Sequence, residues 1–198
     1  RTMPLLTEFQ TIAGPRRLWT TFGPDQVDLN WACPEVLLEM LDVLLQYVSQ
    51  GAQAVRLDAV AYAWKEAGTP CLHHPKTHGL VRLLRAVLDA AAPWVLLVTE
   101  TNVPQEQNLS YLGDGWSEAQ LVYQFPLPPL VLDAFLRQDA AALRAWAAAL
   151  PRLRPGTCFL NFLASHDGIG VLPAAGLLPA GGVQLLARAV EERGGRVS

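Results

Sequence analysis

Charge is scarce in this sequence. Charged residues are 17% of 198, and 15 scattered Lys and Arg face 18 Asp and Glu, for a formal net charge of −3. That leaves no basic field for a phosphate backbone and excludes nucleic acid as the expected partner. Cysteine is scarcer still: Cys33, Cys71 and Cys158 are odd in number and lack CxxC spacing. They read as reduced thiols, with neither a disulfide framework nor a cysteine-based zinc site expected, and reduced thiols favour the cytoplasm. No apolar run reaches the roughly 18 residues that a membrane-spanning helix needs, so no membrane partner is expected. Neither GxGxxG nor GxxxxGK[ST] follows an apolar strand, so the usual nucleotide cradles are missing and no cofactor is expected. The chain begins at Arg1 without a signal-like segment, which leaves export open.

Hydrophobic residues are plentiful, at 51%, enough for one domain with a substantial core. Residues 1–31 show no sustained periodicity and read as a long loop preceding the first helix. From Pro34 the apolar positions Leu37, Leu41, Leu44 and Val48 repeat at helical spacing, and Gly51 ends the run. Residues 54–58 read as a short buried strand. A second helix is expected over 77–92 and a second strand over 95–100. A third strand, 121–125, precedes helical stretches around 130–136 and 140–150. A fourth, 158–163, precedes a helix over about 182–193. Apolar strands alternating with helices predict an α/β fold with a parallel sheet. Polar residues gather where the strands end: Arg56 and Asp58, Glu100, then His166 and Asp167. Both a (β/α)8 barrel and a doubly wound open sheet place ligands there, and periodicity alone does not separate them.

Asp58, Glu100 and Asp167 are the residues that point to chemistry. Retaining glycosyl transfer needs an ionised carboxylate to attack the anomeric carbon and a protonated carboxyl to donate to the leaving oxygen. The environments of the two must push their pKa values apart. Arg56 lies on the same side of its strand as Asp58, where it can keep that carboxylate ionised. Each acid also has a plainer reading: Asp58 as a helix cap, Glu100 as a solvated loop acid, His166-Asp167-Gly168 as a turn. His73, His74 and His78 lack the convergent ligands of a metal site, so no metal is expected. The six tryptophans fit either sugar stacking or core packing.

Gly51-Ala-Gln-Ala-Val-Arg-Leu-Asp-Ala-Val60 resembles the nucleophile signature of glycoside hydrolase family 13, the α-amylase superfamily. Thr99-Glu-Thr101 and Phe162-Leu-Ala-Ser-His-Asp-Gly168 resemble its acid/base strand and the strand bearing its transition-state-stabilising Asp. Trp19–Asn30, Trp64–Thr69, Thr101–Pro104, Leu127–Leu130 and His166–Gly170 are similar to its sucrose phosphorylase and glucosylglycerate phosphorylase subfamily. The resemblance implies Asp58 as nucleophile, Glu100 as acid/base and Asp167 as stabiliser. It also implies Arg56 and His166 as holders of glucose hydroxyls, with Phe22, Gln26 and Tyr62 lining the sugar pocket. Its implied substrates are an α-glucoside and inorganic phosphate; hydrolysis or transglucosylation is the alternative. The family's first conserved region has no counterpart here. The expectation is therefore a partial TIM barrel of about four βα units, the fourth to seventh strands. Alone, such a half-barrel is expected to be inactive, with open edges available for self-association.

Overall fold

The computed structural model describes residues 5–197. It opens with a correction to the long-loop reading of 1–31. Strands β1 (Leu6–Thr11) and β2 (Gly14–Trp19) form an antiparallel hairpin in which Thr11 pairs with Gly14 across two residues. Gly14 sits at φ 93°, a conformation open to glycine at no steric cost. The Thr11 hydroxyl donates to the Gly14 carbonyl at 2.7 Å and closes the turn. Both strands are mostly exposed or half-buried, so no strong apolar alternation marks them. Pro15 weakens the strand signal further. Residues 1–4 lie outside the described part.

The main layer is a four-stranded sheet, β3 (Ala54–Leu57), β4 (Leu96–Thr99), β5 (Leu121–Tyr123) and β6 (Cys158–Leu160), in that spatial order and parallel throughout. Sequence order equals spatial order. A doubly wound sheet reverses its order at a switch point, and this one has no reversal. The expected strands over 121–125 and 158–163 pair only over their first three residues. The remainder leaves the ladder to form the loops above the sheet.

Helices α1 (Pro34–Ser49) and α2 (Pro75–Ala91) start on proline, whose missing N–H costs nothing in the first turn. The His74 ring caps α2, its Nδ1 accepting the Lys76 N–H at 3.2 Å. The remaining helices are α3 (Gln105–Leu109), α4 (Leu127–Arg137), α5 (Ala141–Ala148) and α6 (Gly182–Glu191). Leu44, Leu80, Leu84 and Leu88 pack with Val95 and Leu97, joined by the half-buried Val55 and Leu57. Val122 and Phe159 belong to an adjoining cluster with Val81 and Tyr111. Alternate strand residues therefore face the helices, and Arg56, Val98 and Tyr123 fall on the opposite face.

Arg85 ties α2 to the sheet. Its side chain, buried in α2, donates to the Val95 carbonyl at 2.6 Å, to Gln120 at 3.0 Å and to Asp89 at 2.8 Å. Gln120 Oε1 also accepts the Leu97 N–H at 3.0 Å, which anchors the start of β4. The inner strand β4 is nearly fully buried, while the edge strand β3 alternates between exposed and half-buried.

Candidate active site

Register brings the acids together. Leu57 pairs with Thr99, and the Glu100 N–H donates to the Leu57 carbonyl at 3.0 Å. Asp58 and Glu100 are thus the next residues on neighbouring parallel strands. Arg56 Nη1 lies 2.7 Å from Asp58 Oδ1. The guanidinium also reaches across the sheet face to the Tyr123 ring, 5.7 Å from its centroid. Burial works against its charge, but Asp58, Glu100 and Tyr123 outweigh that, and its pKa is raised.

Asp58 caps no helix. The short 3₁₀ turn that follows it, Val60–Tyr62, is preceded by Ala59, at φ 44° and without a side-chain cap. A left-handed alanine stores backbone strain. Here it turns the Ala59 N–H onto Glu100 Oε2 at 3.0 Å. The residue after Asp58 therefore holds the carboxyl of Glu100.

Glu100 is no solvated loop acid: it is half-buried. Burial pushes its pKa above the usual carboxylate range; the Ala59 N–H and Arg56 oppose the shift, and the charges of Asp58 and Asp167 add to it. A carboxyl so placed keeps its proton to a higher pH than a solvated glutamate does, which is the direction a general acid requires.

Ser165-His166-Asp167-Gly168 is a tight turn. The Gly168 N–H donates to the Ser165 carbonyl at 3.1 Å, and Gly168 has φ 82°. The turn reading of these residues holds, and both His166 and Asp167 line a cleft. His166 Nε2 lies 3.2 Å from Asp167 Oδ2, with both side chains largely exposed.

A cleft of about 830 Å³ runs over the strand ends, lined by Asp58, Glu100, His166 and Asp167 together with Phe22, Gln26 and Tyr62. Seven of the eight residues singled out in the sequence thus share one cavity. Arg56 lies beside it, in an adjoining groove that also touches Asp58. Phe22 meets Tyr62 edge-on, with centroids 5.4 Å apart. The sequence reading passed over Asn102, Phe125 and Phe162, which also line the cleft. Phe125 and Phe162 pack edge-on at 5.4 Å, each against Tyr123. Their signal was an aromatic residue just past a strand end, which looked like a continuation of the apolar strand. The cleft's aromatic lining is phenylalanine and tyrosine; none of its lining residues is tryptophan.

The three neighbouring histidines have separate partners. His74 caps α2, His73 Nδ1 lies 3.0 Å from the Tyr111 hydroxyl, and His78 Nδ1 lies 2.8 Å from Glu118. Burial, with His78 adding to it, lowers the pKa of His73.

Known proteins match this geometry and sequence. A glucosylglycerate phosphorylase from Spirochaeta thermophila is 59% identical over the whole chain, which spans 34% of that relative. One from Escherichia coli is 52% identical, and the chain spans 36% of it. The crystal structure of a sucrose 6F-phosphate phosphorylase from Thermoanaerobacter thermosaccharolyticum superposes on the full chain with TM-score 0.83 at 26% identity, over 39% of its own length. The chain thus spans about a third of the length of the curated relatives it matches. Residues 18–168 match the family model for the α-amylase catalytic domain, and the chain belongs to that family.

Proposed function

We propose that the complete protein transfers a glucosyl group with retention, from an α-glucoside to inorganic phosphate. The observation that carries this reading is the pairing of unlike carboxyls at adjacent strand ends. Asp58 is ion-paired to Arg56, and Glu100 has a raised pKa under the influence of Asp58 and Asp167. Asp58 attacks the anomeric carbon and forms a glucosyl ester, while Glu100 gives its proton to the departing oxygen. Phosphate then attacks the anomeric carbon as its bond to the Asp58 oxygen breaks, Glu100 takes the phosphate proton, and α-glucose 1-phosphate leaves with Asp58 again a carboxylate. Asp167 stabilises positive charge at the anomeric centre. Arg56 and His166 hold glucose hydroxyls, and Phe22, Gln26 and Tyr62 wall the pocket.

Glucosylglycerate is the first donor to test, because relatives bearing that name are 52–59% identical; sucrose is the second. The monotonic parallel sheet with two open edges supports a segment of a (β/α)8 barrel, its strands the fourth to seventh. Four strands cannot close a barrel, so the isolated 198-residue chain is expected to be inactive or to associate through its edges. Three unpaired cysteines support a cytoplasmic setting. Among the described residues no helix is long and apolar enough to cross a membrane.

The test is to incubate the complete gene product with glucosylglycerate or sucrose and phosphate, and to assay glucose 1-phosphate. Phosphate-dependent release is expected. Free glucose alone would make the protein a hydrolase, and a new disaccharide would make it a transglucosidase.

A further inference from the structure

Asp28 and Lys65 form an ion pair at the edge of the cleft. Lys65 Nζ lies 3.6 Å from Asp28 Oδ2, and the two side chains are only 8% and 18% exposed. The same Asp28 oxygen accepts the Thr21 N–H at 2.9 Å and the Thr21 hydroxyl at 2.6 Å. On its other side Lys65 donates to the Tyr62 carbonyl, and its ammonium lies 5.9 Å from the centroid of the Tyr62 ring.

These contacts join two separate segments. Residues 20–28 carry Phe22 and Gln26, while the turn after β3 carries Asp58 and Tyr62. The segments meet in the Phe22–Tyr62 edge-on contact, on the cleft wall that Asp28 also lines. An ammonium withdrawn from water keeps its charge only where partners replace its hydration. Lys65 is therefore held to Asp28 on one segment and to Tyr62 on the other, and both segments lose freedom.

We propose that Lys65 and Asp28 are positioning residues that fix Phe22 against Tyr62 and so set the shape of the glucosyl pocket beside Asp58. This inference rests on the glucosyl-transfer reading above. Neither residue is required at the reacting carbon; both act through the two aromatic rings. Misplacing such a wall loosens ground-state binding before it affects the chemical step.

The test uses the complete gene product as wild type, Lys65→Met, Asp28→Asn and the double variant. Asp28→Asn keeps an oxygen for the Thr21 N–H and removes only the charge, so it is the milder probe. Each protein is followed by thermal melting, donor-cleavage kinetics and calorimetric titration with glucose. KM for the donor is expected to rise about tenfold in either single variant, with kcat changed less than about threefold. Glucose affinity should fall in parallel, and the double variant should be no worse than the poorer single. A lowered melting temperature with KM, kcat and glucose affinity unchanged would assign the pair to stability alone and overturn the proposal. So would kcat falling with KM unmoved, or failure of either single variant to fold. A wild type that releases glucose in place of glucose 1-phosphate overturns phosphorolysis and leaves this test intact, since KM is read from donor cleavage. A wild type that neither cleaves a donor nor binds glucose overturns both.

Discussion

Arg56 and Asp58 are two residues apart and in contact at 2.7 Å, a consequence of strand geometry that places alternate side chains on one face. The Arg56 guanidinium is also held over Tyr123, one strand beyond β4. The contact ties Asp58, the acid that the proposed mechanism sends to the anomeric carbon, to that guanidinium.

Replacing Arg56 by Met removes the charge paired with Asp58, together with the donors that the proposed mechanism sets on glucose hydroxyls. In the complete enzyme kcat/KM should fall on the order of a hundredfold or more. Steady-state kinetics on the preferred donor measure it, and a change below threefold would count against the role.

Under the proposed mechanism, the raised pKa of Glu100 couples stability and activity to pH. A carboxyl whose pKa is higher folded than unfolded holds its proton more tightly in the native state. Its burial therefore costs nothing below the unfolded value near 4.5. The cost grows as pH rises toward the folded pKa and is fully present above it. Glu100→Gln abolishes that ionisation and still offers an oxygen to the Ala59 N–H. The variant should melt higher than wild type at pH 7 and equally at pH 4, while glucosyl transfer to a natural donor falls by about 10³-fold. Melting curves at the two pH values, with kinetics, check both halves.

Ala59 is held left-handed at φ 44° with its N–H on Glu100. A β-branched side chain resists that conformation, so Ala59→Val should lose about 1–3 kcal/mol of stability. The same change should lower kcat by loosening Glu100. Urea titration and kinetics on the same preparation would show whether the two effects travel together.

Phe162 packs edge-on against Phe125 and Tyr123 at the cleft wall. Phe162→Ala should raise KM for the donor about tenfold, since aromatic contact supplies apolar area and stacking. An unchanged KM would place the ring outside the sugar's reach.

Leu97 is fully buried in the central strand among α1 and α2. Leu97→Ala should cost about 2–5 kcal/mol, from lost transfer energy and a residual cavity. Chemical denaturation provides the measurement.

The alternation of apolar strands and amphipathic helices, and acids at the strand ends, were legible from the chain because period and polarity are local properties. Asp58, Glu100, Asp167 and Arg56 were identified on that basis together with the motifs around them. The β1–β2 hairpin was not, since its residues are largely exposed on both faces and carry no strong alternation. Phe125 and Phe162 looked like strand because one-dimensional pattern cannot tell where the ladder stops.

Only the tertiary structure closed the 42-position separation of Asp58 and Glu100, by setting Leu57 against Thr99 in parallel register. It also decided that the pKa of Glu100 is raised, because burial depends on what packs around it. The pairing of Asp28 with Lys65 had no sequence signal at all. Residue types and local periods specify which groups a chain carries. Hydrogen-bond register and exclusion of water, which arise only from packing distant segments together, decide which of those groups meet and in what protonation state.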